Sequence, residues 1–549
     1  MKNPAMIVAA LIAAAAVTGI TARDINMTQN QKLRMAEAAV AQLYVDTVDE
    51  NKLVEDAIRG MLEGLDPHSS YTNPEETREL TEPLSGNFSG IGITFNMNQD
   101  TLYVIQTVAG GPSERVGILA GDRIVAVNDS TIAGVKMKNS DIMKRLKGPK
   151  GTDVDVKVLR PEGLAYDTID FTITRADIPI YSVDASYMVD DKTGYIRVNK
   201  FAAETSKEVA KALSALKKEG MEQLILDLVD NGGGYLNAAV DILGELLPPE
   251  SLAVYTEGVN SSRADSHANP SGLKPLFDKG RLVVMVNQYS ASAAEITSGA
   301  IQDWDRGVIV GRRTFGKGLV QRPIPFPDGS MMRLTVAHYY TPTGRDIQKP
   351  YTKGNQKDYN LDILDRYNRG ELMHEDSIHY NDSLKVNTLR LGRGIYGGGG
   401  ISPDRFVALD TTAYTKYYRN VMAKGLINRF VIKYVDANRK KIKDRFKTDR
   451  EFISGFEVTP EMLDELRKLS DKEGVEYDAE EAEKSRPLFC MVLKGLIGRD
   501  IYDNSTYYKV YNTYDPIFRK ALEVINSDEY DKILSPADPP SERLPLPVR

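Results

Sequence analysis

The sequence predicts a multidomain α/β protein: an α/β core, a β-rich module inserted ahead of it, a helical cap on the N-terminal side and a helical extension on the C-terminal side. Three observations lead there. With 549 residues, the chain is too long for one hydrophobic core. From Thr193 onward, short apolar runs at Leu224–Leu228, Leu282–Val286 and Val308–Val310 alternate with helical patterns. Runs of this length without polar alternation suit strands covered on both faces, and the alternation with helices predicts a substantially parallel sheet. Between Gly86 and about Ile178 the texture differs, with short β-branched strands broken by Gly, Pro and Asp turns.

At the N-terminus, Lys2 precedes an uncharged apolar stretch from Ala5 to Ala22, which Arg23 and Asp24 end. The stretch is shorter than the ~20 residues a membrane span needs, and Gly19 or Ala22 supplies a small residue ahead of a cleavage site. Residues 1–27 are therefore expected to direct export, either as a signal peptide or as an inner-membrane anchor built on residues 5–22. A helical cap is expected over 28–85, with Leu33, Ala36, Val40 and Leu43 on one apolar face and Val54, Ile58, Met61 and Leu65 on another. The β-rich module is expected over 86–178 and the α/β core over 179–405.

Within the core, Tyr195–Val198 reads as a strand, and Thr205 with Glu208 as a capping box for a helix carrying Val209, Leu213 and Leu216. Met332–Tyr340 alternates as a further strand, and the polar, Tyr- and Gly-rich stretch Gly344–Asp404 is expected to wrap the surface. Residues 406–534 are mostly helical, with Ile427, Phe430, Val431 and Tyr434 on one face. Residues 535–549 hold five prolines and are expected to form an extended tail.

Composition narrows the function classes. Hydrophobic residues at 42% and charged residues at 27% can bury enough surface to offset chain entropy. A net charge of -7, with no long Lys/Arg run, gives no footprint for nucleic acid. Cys490 is the only cysteine, which excludes an intrachain disulfide and a paired-cysteine metal site. No cofactor-binding pattern is present; neither Gly-x-Gly-x-x-Gly nor a Walker-type phosphate loop occurs at the glycine-rich turn.

Three separated segments carry chemistry. Asn287-Gln-Tyr-Ser-Ala-Ser-Ala-Ala-Glu295 follows an apolar strand and opens a helix, where free N–H groups can stabilise an oxyanion beside a presented serine. Ser292 with Glu295 is equally a plain capping box. In Thr314-Phe-Gly-Lys-Gly-Leu-Val-Gln321, Lys317 can serve as a base if burial lowers its pKa from about 10.4 toward ~7–8. If the stretch is extended, Gln321 lies on the same face and its amide oxygen can hold the amine; the alternative is a glycine turn with a solvated lysine. Asp227-Leu-Val-Asp-Asn-Gly-Gly-Gly234 ends a strand with glycines that either expose N–H groups or simply turn the chain.

In this order, the three segments resemble the C-terminal processing peptidases, which run Asp-Leu-Arg-x-Asn-Pro-Gly-Gly, then Ser-Ala-Ser-Ala with a following Glu, then Phe-Gly-Lys-Gly-x-x-Gln. The resemblance implies a crotonase-like α/β peptidase core, with Ser292 as nucleophile, Lys317 as general base and Gln321 in support. The 25-residue separation of Ser292 and Lys317 fits it. Val229 replaces the usual arginine and Gly232 the usual proline, which leaves the oxyanion donor open among Gly232, Gly233 and Gly234; Gly233 and the N–H of Ala293 are the first choices. Leu65-Asp-Pro-His-Ser-Ser-Tyr71, Tyr340-Thr-Pro-Thr-Gly-Arg345 and Gly399-Gly-Ile-Ser-Pro-Asp404 extend the resemblance over about Thr28 to Asp404. The part beyond Phe406 resembles an extension of Bacteroidetes-type members.

Ser89-Gly-Ile-Gly-Ile93, with Gly110-Gly-Pro-Ser-Glu-Arg-Val-Gly117 and Gly121-Asp-Arg-Ile-Val-Ala-Val-Asn128, resembles a PDZ domain. It implies that N–H groups of Gly90, Ile91, Gly92 and Ile93 take a peptide's terminal carboxylate while the next strand pairs with the peptide. Asp141–Leu146 would line the pocket through Met143 or Leu146. The whole then reads as a serine endopeptidase for exported or envelope proteins with free C-termini, periplasmic or anchored at the inner membrane, and compatible with a homo-oligomer. An inactive PDZ scaffold is the rival reading. A metal site at His374, Glu375, Asp376 and His379 has the wrong spacing for His-Glu-x-x-His. A histidine base for Ser292 would have to come from His68, His267, His338, His374 or His379.

Overall fold

Strand alternation sorts the apolar side chains of the core onto two faces of one sheet. In the computed structural model, which describes residues 28–98, 100–162 and 165–536, this sheet runs Val183–Met188, Thr193–Val198, Gln223–Asp227, Leu282–Val286, Val308–Gly311 and Arg405–Phe406. The first pair is antiparallel and every later pair parallel, with Leu224 opposite Leu282 and Val284 opposite Ile309. Ile196, Leu226, Val284 and Ile309 face the helices Thr205–Lys218, Leu236–Leu246 and Ala293–Asp303. Their neighbours Tyr195, Ile225, Val283 and Val310 face the other way, onto Ile517, Phe518, Ala521 and Val524 of the helix Pro516–Ile525. The expected strands buried on both sides are thus present, and the C-terminal extension supplies one of the two covers.

A second, antiparallel sheet joins Ser70–Thr72, Met331–Tyr340, Leu252–Gly258 and Ser261–His267, with Leu319–Pro325 also paired to Met331–Tyr340. The helical cap therefore reaches the core through a short strand. Ahead of the core, Asn87–Gly90 pairs with Ala176–Pro179, closing the neck of the β-rich module. Beyond the neck, Ile93–Asn98, Thr101–Thr107, Arg123–Val127, Asp153–Glu162 and Ala165–Thr174 form an antiparallel sheet, Ser130–Thr131 pairs with Arg123–Val127, and the helix is Asn139–Leu146. Arg123 of this module donates to Asp436 of the extension at 2.6 Å, so the extension touches both core and module.

Several expectations need correction. Thr205 does not cap its helix: its hydroxyl oxygen accepts from Ala202 N–H, and Glu208 accepts from the N–H groups of Ser182 and Val183, tying the helix to the sheet edge instead. The helix Gln29–Leu43 forms, yet its apolar face stays uncovered, with Leu33 50% and Leu43 68% exposed. Gly344–Asp404 is more than wrapping, because it contains the helix Gln356–Asn368 and buries Ile347, Arg366 and Ile401. The Ala5–Ala22 segment and the tail beyond residue 536 lie outside the described residues. Among the described residues, no helix is long and apolar enough to cross a membrane.

Candidate active site

The buried strand Leu282–Val286 ends in a turn that delivers Ser292 to the start of the helix Ala293–Asp303. Ser292 is held at φ 55° and ψ -114°, a backbone state that costs a non-glycine residue about 1–3 kcal/mol and persists only where its surroundings enforce it. Ser290 is fully engaged: its hydroxyl donates to Leu228 O (2.7 Å) and accepts from Asn287 N–H (2.9 Å). Ser292 is partly accessible, and only it of the two serines is free for chemistry.

What enforces the Ser292 geometry is Glu295. Its carboxylate, 0% exposed, accepts from Ser292 N–H (2.8 Å) and Lys317 N–H (2.8 Å) through Oε2, and from Gly316 N–H (2.6 Å) and the Thr314 hydroxyl (2.5 Å) through Oε1. Burial pushes its pKa up, and these four donors pull it down. One carboxylate therefore joins the serine turn to the lysine loop. Burial, with Arg333 next in effect, lowers the Lys317 amine to about 8, against the opposing pull of Glu295 and Asp66.

Gln321 does not hold the amine. Its side-chain N–H₂ donates to Leu319 O (3.0 Å) and Thr335 Oγ1 (3.3 Å), and no hydrogen bond joins it to Lys317 among the described residues. The same-face argument fails because the strand starts only at Leu319 and its register shifts between Val320 and Gln321. Thr335 in turn donates to Asp66 (2.9 Å), which also accepts from His68 N–H, Ser69 N–H and the Ser69 hydroxyl. The Leu65–Tyr71 segment thus supports the base from below. His68 bonds the Tyr359 hydroxyl (2.8 Å), and burial together with the Lys317 charge depresses it to about 3, which keeps it neutral. His338 pairs with Asp346 (3.0 Å); neither histidine hydrogen-bonds Ser292.

The oxyanion side departs from expectation in one detail. The N–H of Ala293 has no acceptor among the described residues, but that of Gly233 donates to Asn231 Oδ1 (2.8 Å). The N–H groups of Gly232 and Gly234 are the ones without an acceptor there. Gly233 is nonetheless pressed against the nucleophile: at φ 95°, a Cβ on it would stand 2.7 Å from Ser292 Cβ and from Ala291 O. Asp227, at the start of the same turn, accepts from Tyr195 OH, Arg197 and Val229 N–H.

Two supports of the base loop escaped sequence reading. Arg366, fully buried, donates to the carbonyls of Thr314 (2.9 Å) and Arg313 (2.8 Å) and to Glu371. The Lys349 ammonium lies 4.0 Å from the ring centres of both Phe315 and Tyr359. Neither residue belongs to a recognisable motif, and only the Tyr-rich character of the segment hinted at packing. In the β-rich module, the N–H groups of Ile91 and Gly92 have no acceptor among the described residues, as a carboxylate-binding loop requires. Leu146 is packed into the module's core (4% exposed) while Met143 is 40% exposed.

Four family models match the chain: peptidase family S41 over residues 192–361, the PDZ domain over 89–174, the activating protease CtpB N-terminal domain over 12–77, and a family of unknown function (DUF8443) over 417–503. A carboxy-terminal-processing protease of Bartonella bacilliformis is 33% identical over 336 residues, spanning 60% of this chain and 75% of that protein. The chain belongs to the carboxy-terminal-processing protease family. A second member, from a Picosynechococcus species, is 39% identical over 287 residues, 52% of this chain and 67% of that protein. Among solved structures, a photosystem II D1 C-terminal processing protease aligns with 30% identity and a TM-score of 0.32, over 60% of this chain and 92% of that one. As a family member the protein is a serine-type peptidase that carries a PDZ domain, with an added C-terminal helical region.

Proposed function

We propose that the protein is an endopeptidase whose nucleophile is Ser292 and whose general base is Lys317. The observation that carries this is the Glu295 carboxylate, which binds the backbone N–H of both residues and so fixes the serine turn and the lysine loop as one unit. A neutral Lys317 takes the Ser292 proton as Oγ bonds to the scissile carbonyl carbon, then returns it to the leaving amine. Ala293 N–H, with an N–H from Gly232–Gly234, would hold the oxyanion; for Gly233 to serve, its bond to Asn231 must be exchanged. Gln321 acts in this reading through Thr335 and Asp66 beneath the base.

The base must be unprotonated, and its folded value of about 8 lies below the ordinary lysine range. Activity should therefore be low at pH 6, rise through about pH 8 and level off above it, and should be unchanged by EDTA. A pH–rate profile with and without chelator checks this. A rise centred near pH 6.5, or loss on chelation reversed by zinc, replaces the lysine by an imidazole or a metal-bound water.

The PDZ loop Gly90–Ile93 selects substrates by their C-terminal carboxylate and raises the concentration of the attached chain near Ser292. An unfolded substrate amidated at its C-terminus should show kcat/KM reduced at least tenfold at low concentration relative to the free acid; equal values reject carboxylate selection. Chemical amidation is the cleaner test, because Gly92 sits at φ 74° with a Cβ position 2.9 Å from Ile178, so substitution there disturbs the module itself. Export by residues 1–27, to a periplasmic or inner-membrane-anchored location, completes this reading, and the substrates are then proteins of that compartment.

A further inference from the structure

Along Met331–Tyr340 successive side chains take opposite faces. The ring of Tyr340 stacks on those of Tyr255 (4.8 Å) and His338 (6.3 Å) at the accessible side. Tyr339 turns inward. It is 2% exposed and lies in the same core cluster as Ala293 and Ala294, while its N–H donates to the carbonyl of Gly318, the residue after Lys317 (2.9 Å). Its backbone is thus tied to the base loop and its ring packed beside the nucleophile's helix.

The phenol oxygen faces the Ser292 side chain, yet no aligned hydrogen bond joins them in this conformation, and the oxygen is buried without any partner. A buried tyrosine hydroxyl ordinarily finds a partner, because an unmade hydrogen bond is costly in a dry site. Phenylalanine would fill the same space without that penalty. A hydroxyl kept here, unmatched by the fold and beside the reacting serine, has its use in the reaction.

We propose that Tyr339 is the positioning residue of the nucleophile: its O–H donates to Ser292 Oγ and turns the serine's own hydrogen toward the Lys317 amine. The inference rests on the Ser292–Lys317 reading above. Serine oxygen has one hydrogen and two lone pairs. With one lone pair held by the phenol, the hydrogen points to the amine and the remaining lone pair is left to attack the carbonyl carbon. When the Oγ–C bond forms, the serine proton passes to Lys317 and the carbonyl oxygen takes the negative charge; Tyr339 gives up no proton at any step. Burial raises the phenol's pKa well above the ordinary range, so it stays a donor throughout.

The test uses the full chain, Tyr339→Phe and an alkyl fluorophosphonate, which bonds the attacking serine oxygen through phosphorus with loss of fluoride. Labelling rate and kcat should each fall about tenfold, the loss of one orienting hydrogen bond. KM for a short peptide should not change, and Tm should be unchanged or higher, because the hydroxyl has no partner in the fold. Labelling and turnover within twofold of wild type overturn the proposal. A lowered Tm accompanying lost activity also overturns it, by making the tyrosine a structural piece only. Mapping the label by mass spectrometry separates the two layers: a label on a residue other than Ser292 defeats the dyad reading, whereas a label on Ser292 at an unchanged rate defeats only the role of Tyr339.

Discussion

Ser292→Ala and Lys317→Ala should each lower cleavage of an unfolded protein substrate by about 10⁴–10⁶-fold, with the double variant no worse than either alone. Non-additivity is the informative part. A serine hydroxyl is a poor nucleophile without a base, and a lysine held near pKa 8 has no task without a proton to accept. Neither change should unfold the protein. Ser292 is released from a strained backbone, and Lys317→Ala removes a partly desolvated amine that makes no hydrogen bond among the described residues. Turnover of the single variants by gel assay, with Tm as control, checks both halves. Substantial activity in a folded Lys317→Ala protein would end the lysine-base reading, and activity in Ser292→Ala would leave the nucleophile unassigned, since Ser290 is bound on both sides.

The second large effect is expected at Glu295, where two readings differ by magnitude. If Glu295 only completed a capping box, alanine there would cost about 0.5–2 kcal/mol and little activity. The structure instead gives its carboxylate four donors from two separate segments at 0% exposure. Removing it strands three buried N–H groups and a hydroxyl, each worth about 1–3 kcal/mol when unsatisfied. Glu295→Ala is therefore expected to lose several kcal/mol, and Glu295→Gln about 2–4 kcal/mol, because an amide must turn its N–H₂ toward one pair of donors. Even where Glu295→Gln folds, loosening of the serine turn relative to the lysine loop by ~1 Å should cost ~10²-fold in kcat. Urea titration and single-turnover kinetics measure the two effects separately; a loss below 2 kcal/mol with near-normal turnover would restore the plain cap.

The parallel core strands were legible because burial on both faces leaves an unbroken apolar run, and Leu282–Val286 has no other comfortable reading. Ser292 and Lys317 were legible through short motifs whose glycines and small residues reflect close backbone approach. Gln321 shows where such reasoning stops: a register shift at Val320 lies outside any period-2 argument, so the side chain's face could not be read. Thr205 and Glu208 fit a capping pattern locally, but tertiary partners at Ala202, Ser182 and Val183 took both side chains. Arg366 and Lys349 were invisible because a buried cation is defined by what surrounds it, and those surroundings come from residues far away in sequence. The Glu295 hub lay in plain view as Ser-x-x-Glu, with the local half of its bonding readable and the half directed at Gly316 and Lys317 not.

The helix Pro516–Ile525 covers the face of the core sheet formed by Ile225, Val283 and Val310, yet it is made long after Ser292 and Lys317. Synthesis runs from the N-terminus, so a nascent chain exposes both reactive residues while that sheet face still lacks its cover. Closure of the core therefore waits on nearly the last helix, and the order of translation withholds a finished protease from the ribosome that is making it.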